Sequence, residues 1–106
     1  MIKAKFFRNE NGKIYGFSVN DHGDSIVCAA VSALVLNCIN CIDEFTLCDF
    51  SFDHDKDGGF ISIEIPLIKN GGFNHDVNLI LNCLLLGLMG VSAKAENDII
   101  IFDEEV

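Results

Sequence analysis

The run from Leu79 to Met89 constrains this chain more than any other feature. Leu79, Ile80, Leu81, Leu84, Leu85, Leu86, Leu88 and Met89 leave a helix over that span apolar nearly all round. Such a helix needs cover on more than one side. The chain has 106 residues, enough for one domain with one core and not for two. A single sheet covers only one side of the helix, so a second copy of the chain is the natural cover for another. Half of the residues are hydrophobic, which is rich for so small a domain and points the same way.

Around that helix the pattern reads as strands and one more helix. Ile2 to Phe7 and Lys13 to Val19 form a hairpin about the turn Asn9-Glu10-Asn11-Gly12. Ile26 to about Ile42 is the first helix, capped at Asp24 or Ser25. Phe45 to Phe52 and Phe60 to Ile65 alternate apolar and polar residues and make a second hairpin, which Pro66 and Asn70-Gly71-Gly72 end. Asp76 to about Lys94 is the second helix, and Asp98 to Asp103 a final strand. The order β-β-α-β-β-α-β predicts an α+β, two-layer domain: a mostly antiparallel sheet with two helices on one face. Residues 1–106 make one domain, without repeat, linker or low-complexity tract.

Chemistry concentrates at the start of the first helix, in His22-Gly23-Asp24-Ser25-Ile26-Val27-Cys28. A thiol becomes a nucleophile when a helix N-terminus favours its thiolate and an imidazole shares its proton. With Ser25 as N-cap, Cys28 falls at the third helical position, beside unpaired backbone N–H groups and the positive end of the dipole. A free cysteine also packs well as a small hydrophobe, so the helix start alone leaves both roles open.

Phe17 to Leu34 resembles the core of the ribosomal-processing cysteine proteases. The run Ser25-Ile26-Val27-Cys28-Ala29-Ala30-Val31-Ser32 matches the family's Asp-Ile-Val-Cys-Ala-Ala-Val-Ser at seven of eight residues, and His22 falls where the family's histidine does. The chain departs from that pattern at three points. Ser25 stands for the family's aspartate, with Asp24 displaced by one; Asp21 stands for the glycine before the histidine; and only five residues separate His22 from Cys28. The resemblance implies a cysteine endopeptidase with a Cys28–His22 dyad that removes the N-terminal extension of a large-subunit ribosomal protein after an aromatic residue. It also implies a homodimer. Backbone N–H groups around Cys28 and Ala29 are the expected oxyanion donors. Ser32, one turn after Cys28 and matching the family's serine, either positions the thiolate or substrate or back-bonds to a main-chain carbonyl. Asp24 and Asp21 are candidates to orient His22, although either opposes thiolate formation through like charge. The alternative is a non-catalytic dimeric adaptor for a basic partner, with Cys28 packed as an apolar residue.

Sixteen acids against seven bases give a net charge of −9, which disfavours nucleic acid and anionic membranes as direct partners and suits a basic protein. The apolar runs Ile26–Ile42 and Leu79–Val91 fall short of a membrane span and contain Asn. The N-terminus lacks a basic-then-apolar leader and the cysteines are odd in number, so reduced thiols in the cytoplasm are expected. Asp53-His54-Asp55-Lys56-Asp57-Gly58 with Glu64 fits the calcium loop of an EF-hand, but its flanks alternate as strands, and a hairpin turn explains the same letters. Cys38-Ile39-Asn40-Cys41 has metal spacing without a second ligand pair. No metal and no cofactor are expected. His75 reads as a residue at a helix start and His54 as a solvated turn residue.

Overall fold

The computed structural model describes residues 1–105. Its elements run β1 (Ile2–Arg8), β2 (Ile14–Asn20), α1 (Ser25–Phe45), β3 (Ser51–His54), β4 (Phe60–Glu64), α2 (Pro66–Lys69), α3 (His75–Lys94) and β5 (Ile99–Glu105). The five strands form one sheet in the order β3-β4-β2-β1-β5. Three neighbouring pairs are antiparallel, and β5 joins β1 in parallel. The expected α+β architecture is therefore present, with one short helix added.

The core lies where the helix stripes meet the sheet. Val31, Val35, Cys38, Ile39 and Ile42 form the buried face of α1, and Val77, Leu81, Leu84 and Leu88 that of α3. They close over Ile2, Ala4 and Phe6 of β1, Phe17 of β2 and Ile63 of β4. Phe6 and Phe17 are fully buried, with ring centroids 5.9 Å apart. Burying a side chain of that size contributes roughly 1.5–3 kcal/mol.

The boundaries differ from the sequence reading in physically simple ways. The first helix runs to Phe45 because Thr46 caps it: the Thr46 hydroxyl and N–H both donate to the Ile42 carbonyl, at 2.7 and 3.2 Å. The strand expected from Phe45 is thereby shortened to Ser51–His54. Pro66, read as a terminator, instead opens α2, since its fixed φ suits the first helical position. Asn9, read only as a turn residue, is buried: its amide donates to the Ile68 carbonyl at 2.8 Å and its oxygen accepts the Asn11 and Lys13 N–H groups. At 21 and 20 residues, α1 and α3 exceed the apolar runs on which the short-of-a-span argument rested. Each lays its buried stripe on this core.

The Asp53–Gly58 turn is the tip of the β3–β4 hairpin, with strands on both sides. Glu64, the last oxygen of the calcium pattern, lies in β4 and its carboxylate accepts from Lys69 Nζ at 2.8 Å. The letters are those of turn chemistry.

Two features lock the sheet. Gly16 of β2 faces Glu64 of β4 in register, and a β-carbon there would collide with the Ile63 carbonyl. Gly16→Ala must push the β2–β4 ladder apart; we expect a loss of about 1–3 kcal/mol or more in urea unfolding. At the far edge, Arg8 grips Asp103 with two hydrogen bonds of 2.6 and 2.9 Å. These bonds hold the Asp103 carboxyl below its usual range despite some burial. A depressed folded value means that the pair's contribution is complete above about pH 4 and is lost as pH falls through the lowered value. Asp103 is 42% exposed, so Asp103→Asn is expected to cost no more than about 1 kcal/mol at neutral pH. Unfolding curves of the two proteins should converge in strong acid.

Candidate active site

Asp24 sets the position of Cys28. It is the N-cap of α1, with its carboxylate accepting the Ile26 N–H at 3.0 Å and its carbonyl accepting the Cys28 N–H at 2.8 Å. With the cap at Asp24 rather than Ser25, Cys28 is the fourth helical residue. Its own N–H already belongs to the helix ladder, and Ala29 stands one residue deeper. The expectation that these two N–H groups receive an oxyanion is corrected accordingly. The group aimed at the sulfur is Gly23: its N–H donates to Cys28 Sγ at 3.3 Å, and Sγ faces the Gly23 carbonyl at 3.6 Å. Gly23 is in turn braced by the turn that leads into β5, since a β-carbon on it would stand 3.0 Å from the Asp98 carbonyl.

Cys28, His22 and Ser32 open onto one cavity of about 520 Å³. The α1 side of the cavity is formed by Val31, Val35 and Leu36, and the opposite side by Phe52 and His54 of β3 with Phe60 and Ile61 of β4. The register explains that opposite side. His54 pairs with Ile61 and Phe52 with Ile63, so both β3 residues share the core-facing surface of the sheet. The edge strand extends past the helices, and its inner face remains open to the cavity. Phe52 and His54 stack with centroids 5.1 Å apart.

Among the described residues no hydrogen bond joins Cys28 to the His22 ring; both side chains line the cavity. The acids proposed to orient His22 have other partners. Asp24 caps the helix, and Asp21 forms an ion pair with Lys3 at 3.5 Å. Asp55, in the hairpin turn, lines the same cavity. Neither Asp55 nor the aromatic wall was identified from the sequence. They reach Cys28 only through strand pairing, fixed at the rim by the Asp21 N–H donating to the Gly59 carbonyl at 2.9 Å.

The remaining thiols sit apart. All five cysteines are free. Burial, then the neighbouring Cys41 and Cys83, push the Cys38 thiol up to about 12. Burial and the adjacent Asp49 raise that of Cys48. Among the described residues, no cluster of His, Cys, Asp and Glu is arranged to hold a metal ion. His75 contacts Asp76 at 3.2 Å at the exposed start of α3.

The fold and the sequence both match one set of proteins. No curated protein sequence matches the chain. Among solved structures, an essential ribosomal processing protease Prp from S. aureus, in complex with a covalently linked product peptide, superposes with a TM-score of 0.88 at 25% identity, covering 98% of this chain and all of that one. The same S. aureus protease with a substrate peptide gives 0.86 at 25% identity, over the same shares of the two chains. A protein from Streptococcus mutans gives 0.85 at 28% identity, over the whole of this chain and 96% of its own. The family model of the cysteine protease Prp matches residues 1–100, and the chain belongs to that cysteine protease family.

Proposed function

We propose that this chain is a cytoplasmic endopeptidase that removes the N-terminal extension of a large-subunit ribosomal protein after an aromatic residue, with Cys28 and His22 as its dyad. The observation that carries the reading is the cavity that Cys28 and His22 share at the mouth of a capped helix, facing an apolar wall. Similarity to a protease known with a substrate peptide and with a covalently linked product peptide supports it. Phe52, Ile61, Val35 and Leu36 offer an aromatic side chain an apolar seat, and the net charge of −9 suits a basic ribosomal protein.

In this mechanism the thiol proton passes to His22 and Cys28 Sγ attacks the scissile carbonyl carbon. The new C–S bond pushes charge onto the oxygen, for which the Gly23 N–H, already beside the sulfur, is the nearest donor. Collapse breaks the C–N bond, and imidazolium protonates the departing amine. Water, deprotonated by His22, then opens the thioester; the acid product leaves and the thiol is restored. Ser32 lines the same cavity, which supports a role in positioning the thiolate or the peptide.

Cys28→Ala is expected to abolish cleavage of an extension peptide containing an aromatic residue, and His22→Ala to lower the rate by about 10²–10⁴-fold with the fold intact. Mass spectrometry of the products reads both. In the native protein Cys28 should alkylate first and Cys38 last. Cleavage by Cys28→Ala at the wild-type rate refutes the dyad.

The second copy foreseen from the sequence also belongs to this reading. Leu79, Leu86 and Met89 of α3 are 55, 72 and 53% exposed, so the sheet and α1 leave one apolar side of that helix open. Leu86→Glu is expected to turn a dimer into monomer or aggregate. Sedimentation of the wild-type chain as a monomer at micromolar concentration excludes the dimer.

A further inference from the structure

One element of the cavity has no part in the chemistry above: the acidic turn between β3 and β4. A β-carbon built on Gly59 would stand 3.4 Å from His22 Nε2 and 3.9 Å from Asp55 Oδ2. The ring nitrogen and the carboxylate therefore border one small space, left because residue 59 carries no side chain; among the described residues no hydrogen bond or ion pair yet joins them. The backbone holds this arrangement without help from the Asp55 side chain. The Asp55 N–H donates to the Phe60 carbonyl at 2.9 Å, and the Gly58 N–H to the Asp55 carbonyl at 3.1 Å. The Asp21 N–H, adjacent to His22, ties the strand end to Gly59.

We propose that Asp55 is the positioning residue of His22, holding the imidazole in place across Gly59 for its part in the dyad. The proposal rests on the dyad reading above. The sulfur has its own partner in the Gly23 N–H, so a side chain across Gly59 bears on the ring rather than on the thiol. The other charged groups around the histidine are engaged. Asp24 caps α1 and its N–H reaches Asp98 Oδ1 at 3.4 Å, Asp21 pairs with Lys3, and the Met1 ammonium donates to the His22 carbonyl at 3.0 Å. His54, the remaining titratable neighbour in the cavity, stacks on Phe52.

The test is the rate at which iodoacetamide alkylates Cys28 in the whole protein, resolved by peptide mass spectrometry at about pH 6 and about pH 10. It needs no substrate. Asp55→Asn is expected to slow the reaction about tenfold at the lower pH and to leave it within about twofold at the higher, where the thiolate forms without the ring's help. Asp55→Glu should recover most of the loss. Gly59→Ala, which fills the space between the two groups, should slow the lower-pH reaction in the same direction. Asp57→Asn makes the same charge change in the same turn and should leave both rates at wild type. Unchanged thermal midpoints show that the variants fold. A wild-type rate for Asp55→Asn at the lower pH overturns the proposal, as does equal slowing by Asp57→Asn, which would assign the effect to the charge of the whole turn. If Cys28→Ala still cleaves peptide, the dyad fails and takes this proposal with it. If Asp55→Asn alone is silent, the dyad stands without it.

Discussion

The hydrogen bonds that Gly23 and Asp24 make around the first turn of α1 fix everything else about the site. Asp24 uses its carboxylate for the Ile26 N–H and its carbonyl for the Cys28 N–H, so the helix begins at one residue and the cysteine has one position in it. Gly23 closes on the sulfur from the other side. A cap of this type is worth about 0.5–2 kcal/mol to a helix, a large share of a small domain's margin. Here it also fixes where the Cys28 sulfur stands. The displaced acid, which at first reads as a departure from the protease pattern, is the residue that starts the helix.

The structure divides the sequence signal into local and pairwise parts. Element order, both long helices, both hairpins and the segment holding His22 and Cys28 were legible because each is encoded in residues close together in the chain. The end of α1 was missed because Thr46 replaces a strand start by a side-chain cap, which periodicity does not register. The short helix at Pro66 was missed because proline signals a stop and a start equally well. Asp55, Phe52 and Phe60 escaped notice for a different reason. They join the site through the β3–β4 register and the return of that hairpin to the end of β2, and a sequence gives no measure of which turn lands beside which loop.

The helix layer has an uneven exterior. One side of α1 and α3 meets the sheet, and the two helices pack against each other, yet Ile26, Leu36, Leu79, Leu86 and Met89 still point outward. In a chain with nine excess negative charges, Asp43, Glu44 and Asp76 are the acids of these two helices, and the others lie on loops, turns and strands. An apolar patch of this kind on a charged surface is the type of feature through which proteins associate.

Asp21 is the last residue before His22 and adopts a left-handed backbone, with φ of 71°. Glycine takes that conformation freely, and the resemblance places a glycine there; aspartate is among the few other residues that tolerate it. The substitution alters the unfolded chain as much as the folded one. An aspartate explores fewer conformations than a glycine, so the loop that presents His22 surrenders less disorder when it takes its working shape. Together with only five residues between histidine and cysteine, this leaves the loop little chain to rearrange. The exchange is reach for readiness: less chain to fold over a neighbour, and less entropy to lose in taking its folded shape.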